Sequence, residues 1–264
     1  MKHSLWIAGL LAALSVPYSA RASGAPSAAD IISRSVQALQ RDWNADPQYD
    51  CTERDRNGKG SKTFEDLMID GSPYQELTAV NDRPLSSDQK ADEERKLQEA
   101  IAKRKSESPQ DRAQRIAKFQ QDQKRDHELT QDLTKAFDFR LVGQGRMDGH
   151  EVYILDAKPR PGYQPDSKET QVLTGMRGKL WIDKKTFQWV RVQAEVIHPV
   201  SIEGFIARVE PGTRFELEKT PVADGVWLSK HFSMRSRAKI LFVFGKDGAE
   251  DQTYFDYHPR KQQY

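Results

Sequence analysis

Apolar residues recur at helical spacing near the start of the chain. The stripe consists of Ile32, Val36, Leu39 and Trp43. Ser27, followed by Asp30 three positions later, is typical of a helix N-terminus. Asp46-Pro47 is typical of a helix end. These features predict one amphipathic helix of about 17 residues.

From Tyr49 the pattern changes to the two-residue alternation of β-strands. Turn residues at 57–60 and 70–71 divide the segment. The second strand is expected over 63–69 and the third over 74–80. The segment therefore predicts a three-stranded meander that follows the helix.

Residues 86–136 differ from the rest because 23 of these 51 residues are charged and none is glycine. Ser108-Pro109 is typical of a helix start, so we predict two helices, over 87–105 and 109–136. Their apolar stripe is thin and consists of Leu97, Ile101, Ile116, Phe119, Leu129 and Leu133. Two interpretations follow. The insert is either a solvated helical arm, or a functional surface that serves as a mobile lid or docks a partner.

Beyond Phe137 the chain consists of short apolar runs separated by turn residues. We expect a succession of strands that includes one over 171–183 and separate ones over 239–244 and 251–257. Because no helical pattern lies between them, these strands predict an antiparallel sheet.

One hairpin allows the two faces of this sheet to be compared. A turn at 183–186 places Ile182 and Phe187 on one face. Leu180 and Trp189 are then expected to pair on that same face. The other face is expected to carry Trp181, Val190, Val192, Ala194 and Val196. Both faces would be apolar, so each should be covered, by core packing or, on one side, by a cavity or partner.

The first residues predict a targeting segment. A short basic start precedes an apolar run over 5–16, and Ala20-Arg21-Ala22 places small residues where a secretory signal peptide is cleaved. As a helix the run would reach only about 18 Å, too short for an uncut membrane anchor. We therefore expect removal of residues 1–22, and a single domain over 23–264 without a transmembrane segment.

The charge balance changes once the targeting segment is removed. Residues 1–22 hold two bases and no acid, which leaves 39 basic and 39 acidic residues. A neutral chain does not favour nucleic-acid binding. The lone Cys51 makes no internal disulfide and is expected to be a buried strand residue. With export, these features indicate the periplasm of a Gram-negative-type bacterium.

Residue patterns typical of enzymes are absent from the sequence. The histidines at 3, 127, 150, 198, 231 and 258 have no metal-ligand spacing, and no serine lies in a hydrolase motif. The sequence therefore predicts a non-catalytic protein without cofactor or metal. An acid/base pair assembled only by the fold is the enzymatic alternative left open.

Two segments carry a family resemblance. Gly178-Lys179-Leu180-Trp181-Ile182-Asp183, followed by the apolar 187–192, is similar to a hairpin of the LolA/LolB-like half-barrel superfamily. The segment 224–228 resembles a later strand of these proteins, with Ser229 where a proline often follows. The superfamily includes outer-membrane lipoprotein-sorting carriers and RseB/MucB-type envelope-stress sensors.

The resemblance implies an α+β fold. A curved antiparallel β-sheet would stay open as a half-barrel, with an N-terminal helix and the charged helical pair inserted over 86–136. The concave face would shelter acyl chains, with helices as its lid. The insert departs from the resemblance because it is longer and more polar than the lid helices of these proteins.

Two functions are predicted. The first is a periplasmic carrier or binding protein for the acyl chains of a lipid or lipoprotein. Its ligand-binding residues are predicted to be Leu180, Ile182, Phe187, Trp189, Phe215 and Leu217. The same residues would otherwise fill a core, and the sequence leaves both roles open. The second function is an envelope-stress sensor or interaction protein that docks an envelope protein partner through 86–136.

Overall fold

Helices and strands follow one another much as the apolar pattern predicts. A computed structural model describes residues 26–167, 170–202, 207–223, 225–240 and 243–260, so the segment predicted to be cleaved, 1–22, lies outside the described residues. The helices are α1 (Ala28–Ala45), α2 (Ser87–Lys105) and α3 (Pro109–Ala136), with 3-10 helices at Asp46–Gln48 and Thr170–Gly175. The strands are β1 (Tyr49–Asn57), β2 (Gly60–Ile69), β3 (Ser72–Val80), β4 (Arg83–Pro84), β5 (Phe137–Met147), β6 (His150–Pro159), β7 (Met176–Asp183), β8 (Trp189–Val196), β9 (Val200–Ile202), β10 (Ala207–Val209), β11 (Arg214–Ala223), β12 (Val226–Ile240) and β13 (Val243–Pro259).

The strands form one antiparallel sheet that is not closed into a barrel. Their order is β4-β3-β2-β1-β13-β12-β11-β8-β7-β6-β5, and the short β9 and β10 attach beside β12. The edge strands β4 and β5 do not pair with each other in the described ranges. The α+β class, with an unclosed antiparallel sheet, an N-terminal helix and a further helical pair, is confirmed.

Local capping explains why the predicted helix bounds are correct. At the start of α1 the Asp30 amide donates to Ser27 Oγ at 3.1 Å, and the Ser27 amide donates to Asp30 Oδ2 at 3.3 Å. Ser86 caps α2 in the same manner with Gln89, and Ser108 caps α3 ahead of a proline. These contacts satisfy amides that a helix start otherwise leaves without partners.

The main core lies between α1 and one face of the sheet, which we call the inner face. Ile31 and Ile32 of α1 are buried in it. The sheet contributes buried residues from several strands and from the loop after β7, among them Leu155, Met176, Leu180, Ile182, Phe187, Trp189 and Val196. The apolar stripe predicted for α1 therefore covers the sheet, as an amphipathic helix should.

The predicted pairing of Leu180 with Trp189 is wrong. Trp189 lies opposite Ile182, Val192 lies opposite Leu180, and the register shifts between these pairs. The shift leaves Val190 as an extra residue, a β-bulge that reverses the facing of every later residue of β8.

The bulge also corrects the predicted composition of the opposite face of the sheet, which we call the outer face. Val192, Ala194 and Val196 pack with the main core on the inner face, where they were not expected. Val190 and Trp181 instead belong to a separate small cluster with Val152 and Trp227. Among the described residues, this cluster supplies apolar cover on that side.

Two further strand predictions change in extent. The first part of the segment predicted as a strand over 171–183 is a 3-10 helix, where the Thr170 amide donates to Ser167 Oγ. The predicted strands over 239–244 and 251–257 are not separate: residues 239–240 end β12, 241–242 lie outside the described residues, and 243–244 and 251–257 belong to one strand. Residues 243–259 form β13, which pairs with β12 on one side and β1 on the other, so the ladder holds the long strand together.

Candidate ligand cavity beneath helix α3

Helix α3 spans the inner face from one side of the open sheet to the other. The chain passes from the edge strand β4 through α2 and α3 to the opposite edge strand β5. Accordingly, α3 contacts β3 near one edge and β5 at the other. Its 28 residues correspond to a length of about 42 Å. The insertion over 86–136 is therefore a bridge across the inner face and not a free arm.

The first support of this bridge is apolar. Leu97 and Ile101 of α2 are buried and pack against Leu67 and Ile69 of β2. Tyr74 of β3 packs beside them. Part of the thin stripe predicted for the insert thus holds α2 onto the sheet.

The second support is a set of arginines at the connection between α2 and α3. The Arg104 guanidinium donates to the carbonyls of Ile69, Ser72 and Pro73 at 2.7–2.9 Å. The Arg115 guanidinium binds both carboxylate oxygens of Glu107 and also the Asp70 carbonyl at 3.1 Å. The hydrogen bonds from Arg115 hold the pKa of the Glu107 carboxyl below its usual range.

The far end of α3 is fixed to the loop that follows β6. Buried Asp132 accepts a hydrogen bond from the Tyr163 hydroxyl at 2.9 Å. It also forms an ion pair with the Lys135 ammonium at 2.8 Å. Lys135 also lies 3.0 Å from Asp166. Leu133 packs against the main core. The helix is therefore held at both ends.

Two adjoining cavities lie beneath the middle of α3. Both are lined by Phe119 and Gln123 of α3 and by Asp46 and Ser229 below. The tryptophan cavity has a volume of about 420 Å³. Its other lining residues include Val36, Leu39, Asp42, Trp43, Trp189, Leu217, Lys219, Trp227 and Leu228.

The second, the tyrosine cavity, has a volume of about 790 Å³. Its other lining residues include Tyr49, Cys51, Asp66, Leu67, Met68, Tyr74, Gln75, Tyr254 and Tyr257. Both volumes lie in the range of roughly 300–1,000 Å³ usual for small-molecule sites, and each lining includes several aromatic residues.

The six predicted ligand-binding residues lie together, but only some of them reach a cavity. Trp189 and Leu217 line the tryptophan cavity. Leu180, Ile182 and Phe187 are buried in the main core beneath α1. Phe215 packs partly buried against this core and also lines a separate cavity of about 700 Å³ beside Ala194 and Arg214. The binding role of the six residues stays a prediction.

An ion pair closes the base of the tryptophan cavity. The Lys219 ammonium of β11 lies 2.5 Å from the Asp42 carboxylate of α1, and both side chains are less than one tenth exposed. Asp42 also accepts hydrogen bonds from the Gln188 amide at 2.8 Å and the Trp227 backbone N–H at 2.9 Å. Burial lowers the pKa of Lys219. The sequence holds one clue to this group, because Asp42 is a charge on the buried stripe of α1.

The tyrosine cavity has a different charge pattern. Asp66 lines it, and the buried Glu53 lies behind Asp66 with its carboxylate bound by the amides of Gln75 and Gln252. Burial and the neighbouring Asp66 raise the pKa of Glu53 to about 8. Burial also raises the pKa of Asp66 and of the Cys51 thiol. Cys51 is buried in β1, where the sequence places it.

No group of three or more His, Cys, Asp or Glu residues within the described ranges is placed to hold a metal ion. Across those ranges, no helix has both the length and the apolar character that crossing a bilayer requires.

Comparisons with known proteins give matches among solved structures alone. No protein-family model matches the chain, and no curated protein matches it. A Vibrio parahaemolyticus domain assigned to outer membrane lipoprotein sorting is 10% identical, with 88% of this chain and 95% of that chain covered and a TM-score of 0.35. A LolA superfamily protein of Nitrosomonas europaea is 9% identical, with 90% and 95% covered and a TM-score of 0.34.

A third match is the Pseudomonas aeruginosa MucA/MucB complex, at 12% identity, 86% and 99% coverage and a TM-score of 0.25. The chain is similar to proteins of the LolA and MucB type.

Proposed function

We propose that this protein is exported to the periplasm and binds an acyl chain of a lipid or lipoprotein, without catalysis. The observation that carries the proposal is the pair of adjoining cavities roofed by α3, with a combined aromatic and aliphatic lining. A chain that enters beside Phe119 would contact Trp189 and Leu217 in the tryptophan cavity. Burial of such a chain contributes about 0.8 kcal/mol per methylene, so a modest length gives useful affinity.

The export part of the proposal concerns residues 1–22 and a single domain over 23–264. Cell fractionation and N-terminal sequencing of the purified protein test it. A periplasmic protein that begins at Ser23 is expected. A protein that retains Met1, or that stays in the cytoplasm, contradicts it.

Docking of a partner through 86–136 is less well supported. Many charges of α2 pair within the helix, such as Arg95 with Glu99 and Lys96 with Glu93. The arginines at the connection to α3 bind the sheet. The insert therefore already has an intramolecular role as the roof of the cavities, and partner docking stays a prediction.

Ligand binding is tested in two steps on the protein purified natively from the periplasm. Mass spectrometry of an organic extract is expected to find a lipid in near-stoichiometric amount. After lipid removal, energy transfer from tryptophan to cis-parinaric acid, a fluorescent fatty acid, measures acyl binding. Trp189 and Leu217 lie close to the expected position of the chain.

Phe119→Ser and Phe255→Ser form a matched pair for this assay. Phe119 lines both cavities, whereas Phe255 is 39% exposed on β13. Phe119→Ser is expected to weaken parinaric acid binding about tenfold or more, with circular dichroism unchanged, because it removes a large apolar surface from the site. Phe255→Ser should bind as the wild type. An empty extract together with no parinaric acid binding would overturn the proposed function.

A further inference from the structure

The tyrosine cavity differs from its neighbour in the chemistry of its lining. Five aromatic rings border it: Tyr49, Tyr74, Phe119, Tyr254 and Tyr257. Two carboxylates, Asp46 and Asp66, are also present, and no Lys, Arg or His is among the described residues that line it. The lining is therefore rich in π-electrons and carries carboxylates, while the Arg104 guanidinium lies outside it, 5.9 Å from the centroid of the Tyr74 ring.

The Asp66 carboxylate belongs to this lining. Its Oδ1 atom is buried and has no hydrogen-bond partner of good geometry among the described residues. Its Oδ2 atom lies 3.9 Å from Cys51 Sγ. Burial raises the pKa of the carboxyl, and hydrogen bonding with Gln75 and Glu53 lowers that pKa against the effect of burial. An unpaired buried acceptor is costly, and a donor supplied by a ligand would remove that cost.

The groups next to Asp66 supply no positive charge to it. Glu53 is 7% exposed, and its two hydrogen-bond donors are the neutral amides of Gln75 and Gln252. In the part of the chain that the structure describes, neither Glu53 nor Asp66 forms an ion pair with a base. Asp46 on the same lining has Lys219 as its nearest favourable charge, but that ammonium is bound to Asp42.

The tryptophan cavity supplies an internal comparison. There the buried carboxylate of Asp42 has a base, Lys219, and two further donors, Gln188 and Trp227. Asp66 is the equivalent acid of the tyrosine cavity, but among the described residues no base is paired with it. Burial, followed by repulsion from Asp66, raises the pKa of Glu53, whereas the pKa of Asp66 is raised by burial alone.

The tyrosine rings complete the pattern. The Tyr257 hydroxyl donates to the Ser229 carbonyl at 2.7 Å, and the Tyr254 hydroxyl donates to Gln252 Oε1 at 3.3 Å. Both hydroxyls therefore already have acceptors within the protein, and both tyrosines border the cavity. Aromatic rings with nearby carboxylates are the usual surroundings of an ammonium ion, which is attracted to the negative face of each ring.

We propose that the tyrosine cavity binds an organic ammonium group, with Asp66 as its counter-ion and the tyrosines as its cage. The inference rests on the proposed function, in which the cavities beneath α3 admit a ligand. It adds that the ligand carries a positive charge at the end that lies in the tyrosine cavity, between α3 and the strands β2, β3 and β13. Two sources share this chemistry, the head group of a zwitterionic lipid and a free cationic metabolite.

Calorimetric titration with choline and with its uncharged isostere 3,3-dimethylbutan-1-ol tests the proposal directly. The two probes have the same shape and differ in charge, so the charge alone sets the expected preference. Choline is expected to bind at least tenfold more tightly than the alcohol. Equal binding of the two probes, or binding of neither, would overturn the proposal.

Asp66→Asn and Asp88→Asn are the matched variants. Both remove one negative charge, but Asp88 is exposed in the first turn of α2. Asp66→Asn is expected to weaken choline binding about tenfold or more without lowering the melting temperature, because it also removes repulsion of Glu53. Asp88→Asn should bind choline as the wild type. If Asp66→Asn binds choline normally, the assignment of the counter-ion is wrong.

Vesicles distinguish the two sources. Phosphatidylcholine and phosphatidylglycerol vesicles with the same acyl chains are incubated with the protein, and bound lipid is measured after separation. Selective uptake of phosphatidylcholine together with choline binding supports the lipid head group. Choline binding without lipid uptake supports a free cation. Parinaric acid binding that persists when choline fails would reject the ammonium site alone and leave the proposed acyl function intact.

Discussion

The Asp42 carboxylate lies 2.5 Å from the Lys219 ammonium, although 177 positions separate the two residues in the chain. The contact joins α1, the first described helix, to β11 in the β-rich half. Both side chains are almost fully buried at the base of the tryptophan cavity. The position of α1 over the inner face therefore depends on one charged contact as well as on apolar packing.

Removal of one partner should cost far more than removal of both. Lys219→Met would leave the Asp42 charge buried without its base, and losses of about 3–5 kcal/mol are typical of such changes. The double variant Asp42→Asn with Lys219→Met is expected to lose much less than the single one. Urea unfolding of the three proteins measures both effects. A single variant within 1 kcal/mol of the wild type would mean that water compensates Asp42.

The arginine that fixes the connection between α2 and α3 gives a second prediction. Arg104→Met keeps the aliphatic stem but removes the charged hydrogen bonds to three carbonyls, those of Ile69, Ser72 and Pro73. A loss of about 1.5–3 kcal/mol is expected, with faster proteolysis within 106–136. Arg95→Met is the control, because Arg95 is exposed and pairs only along α2. Equal protease resistance of the two variants would show that apolar packing alone holds the roof.

The turn beneath this connection gives a third prediction. Gly71 has a φ of +86°, and a Cβ built there would lie 3.1 Å from Ile116 Cδ1 of α3. Gly71→Ala is therefore expected to lose about 1–2 kcal/mol from backbone strain. Gly58→Ala is the matched control, since nothing lies within 4 Å of its Cβ position. Thermal unfolding compares the two, and equal melting temperatures would contradict the expectation.

Sequence patterns predicted the helices well because helix ends depend on nearby residues. Ser27 and Asp30 cap α1 within three positions, and Ser108 ahead of Pro109 sets the start of α3. Strand register was harder to predict, since it depends on partners far along the chain. The extra residue Val190 in β8 has no local marker, and it reversed the predicted facing of Val192.

The cavities depend on still longer contacts. Phe119 was predicted as part of a thin apolar stripe. The residues that line the cavities together with it come from α1, β8, β11 and the last strand, among others. The pair of β1 with β13 joins Tyr49 to Pro259 and so brings Tyr254 and Tyr257 to the meander. No local pattern encodes that pairing, which is why the six residues predicted from one hairpin and β11 included three, Leu180, Ile182 and Phe187, that lie in the core and line neither cavity beneath α3.

The buried Glu53 carboxyl makes stability depend on pH in a direction opposite to that of a salt-bridged acid. Burial, followed by repulsion from Asp66, raises its pKa from 4.5 to about 8, so the folded protein holds a proton that the unfolded chain releases. This contribution is fully present below about pH 4.5 and is lost as the pH rises through 8. Urea unfolding is expected to show a fall of roughly 1–3 kcal/mol between pH 5 and pH 9. Glu53→Gln should remove most of this fall, whereas Glu94→Gln on the exposed face of α2 should retain it. The expectation is contradicted if the stability of the wild type rises over this range, or if both variants follow one curve. Glu53 would then be ionised in the folded protein, and the polar side of the tyrosine cavity would be better hydrated than its surroundings indicate.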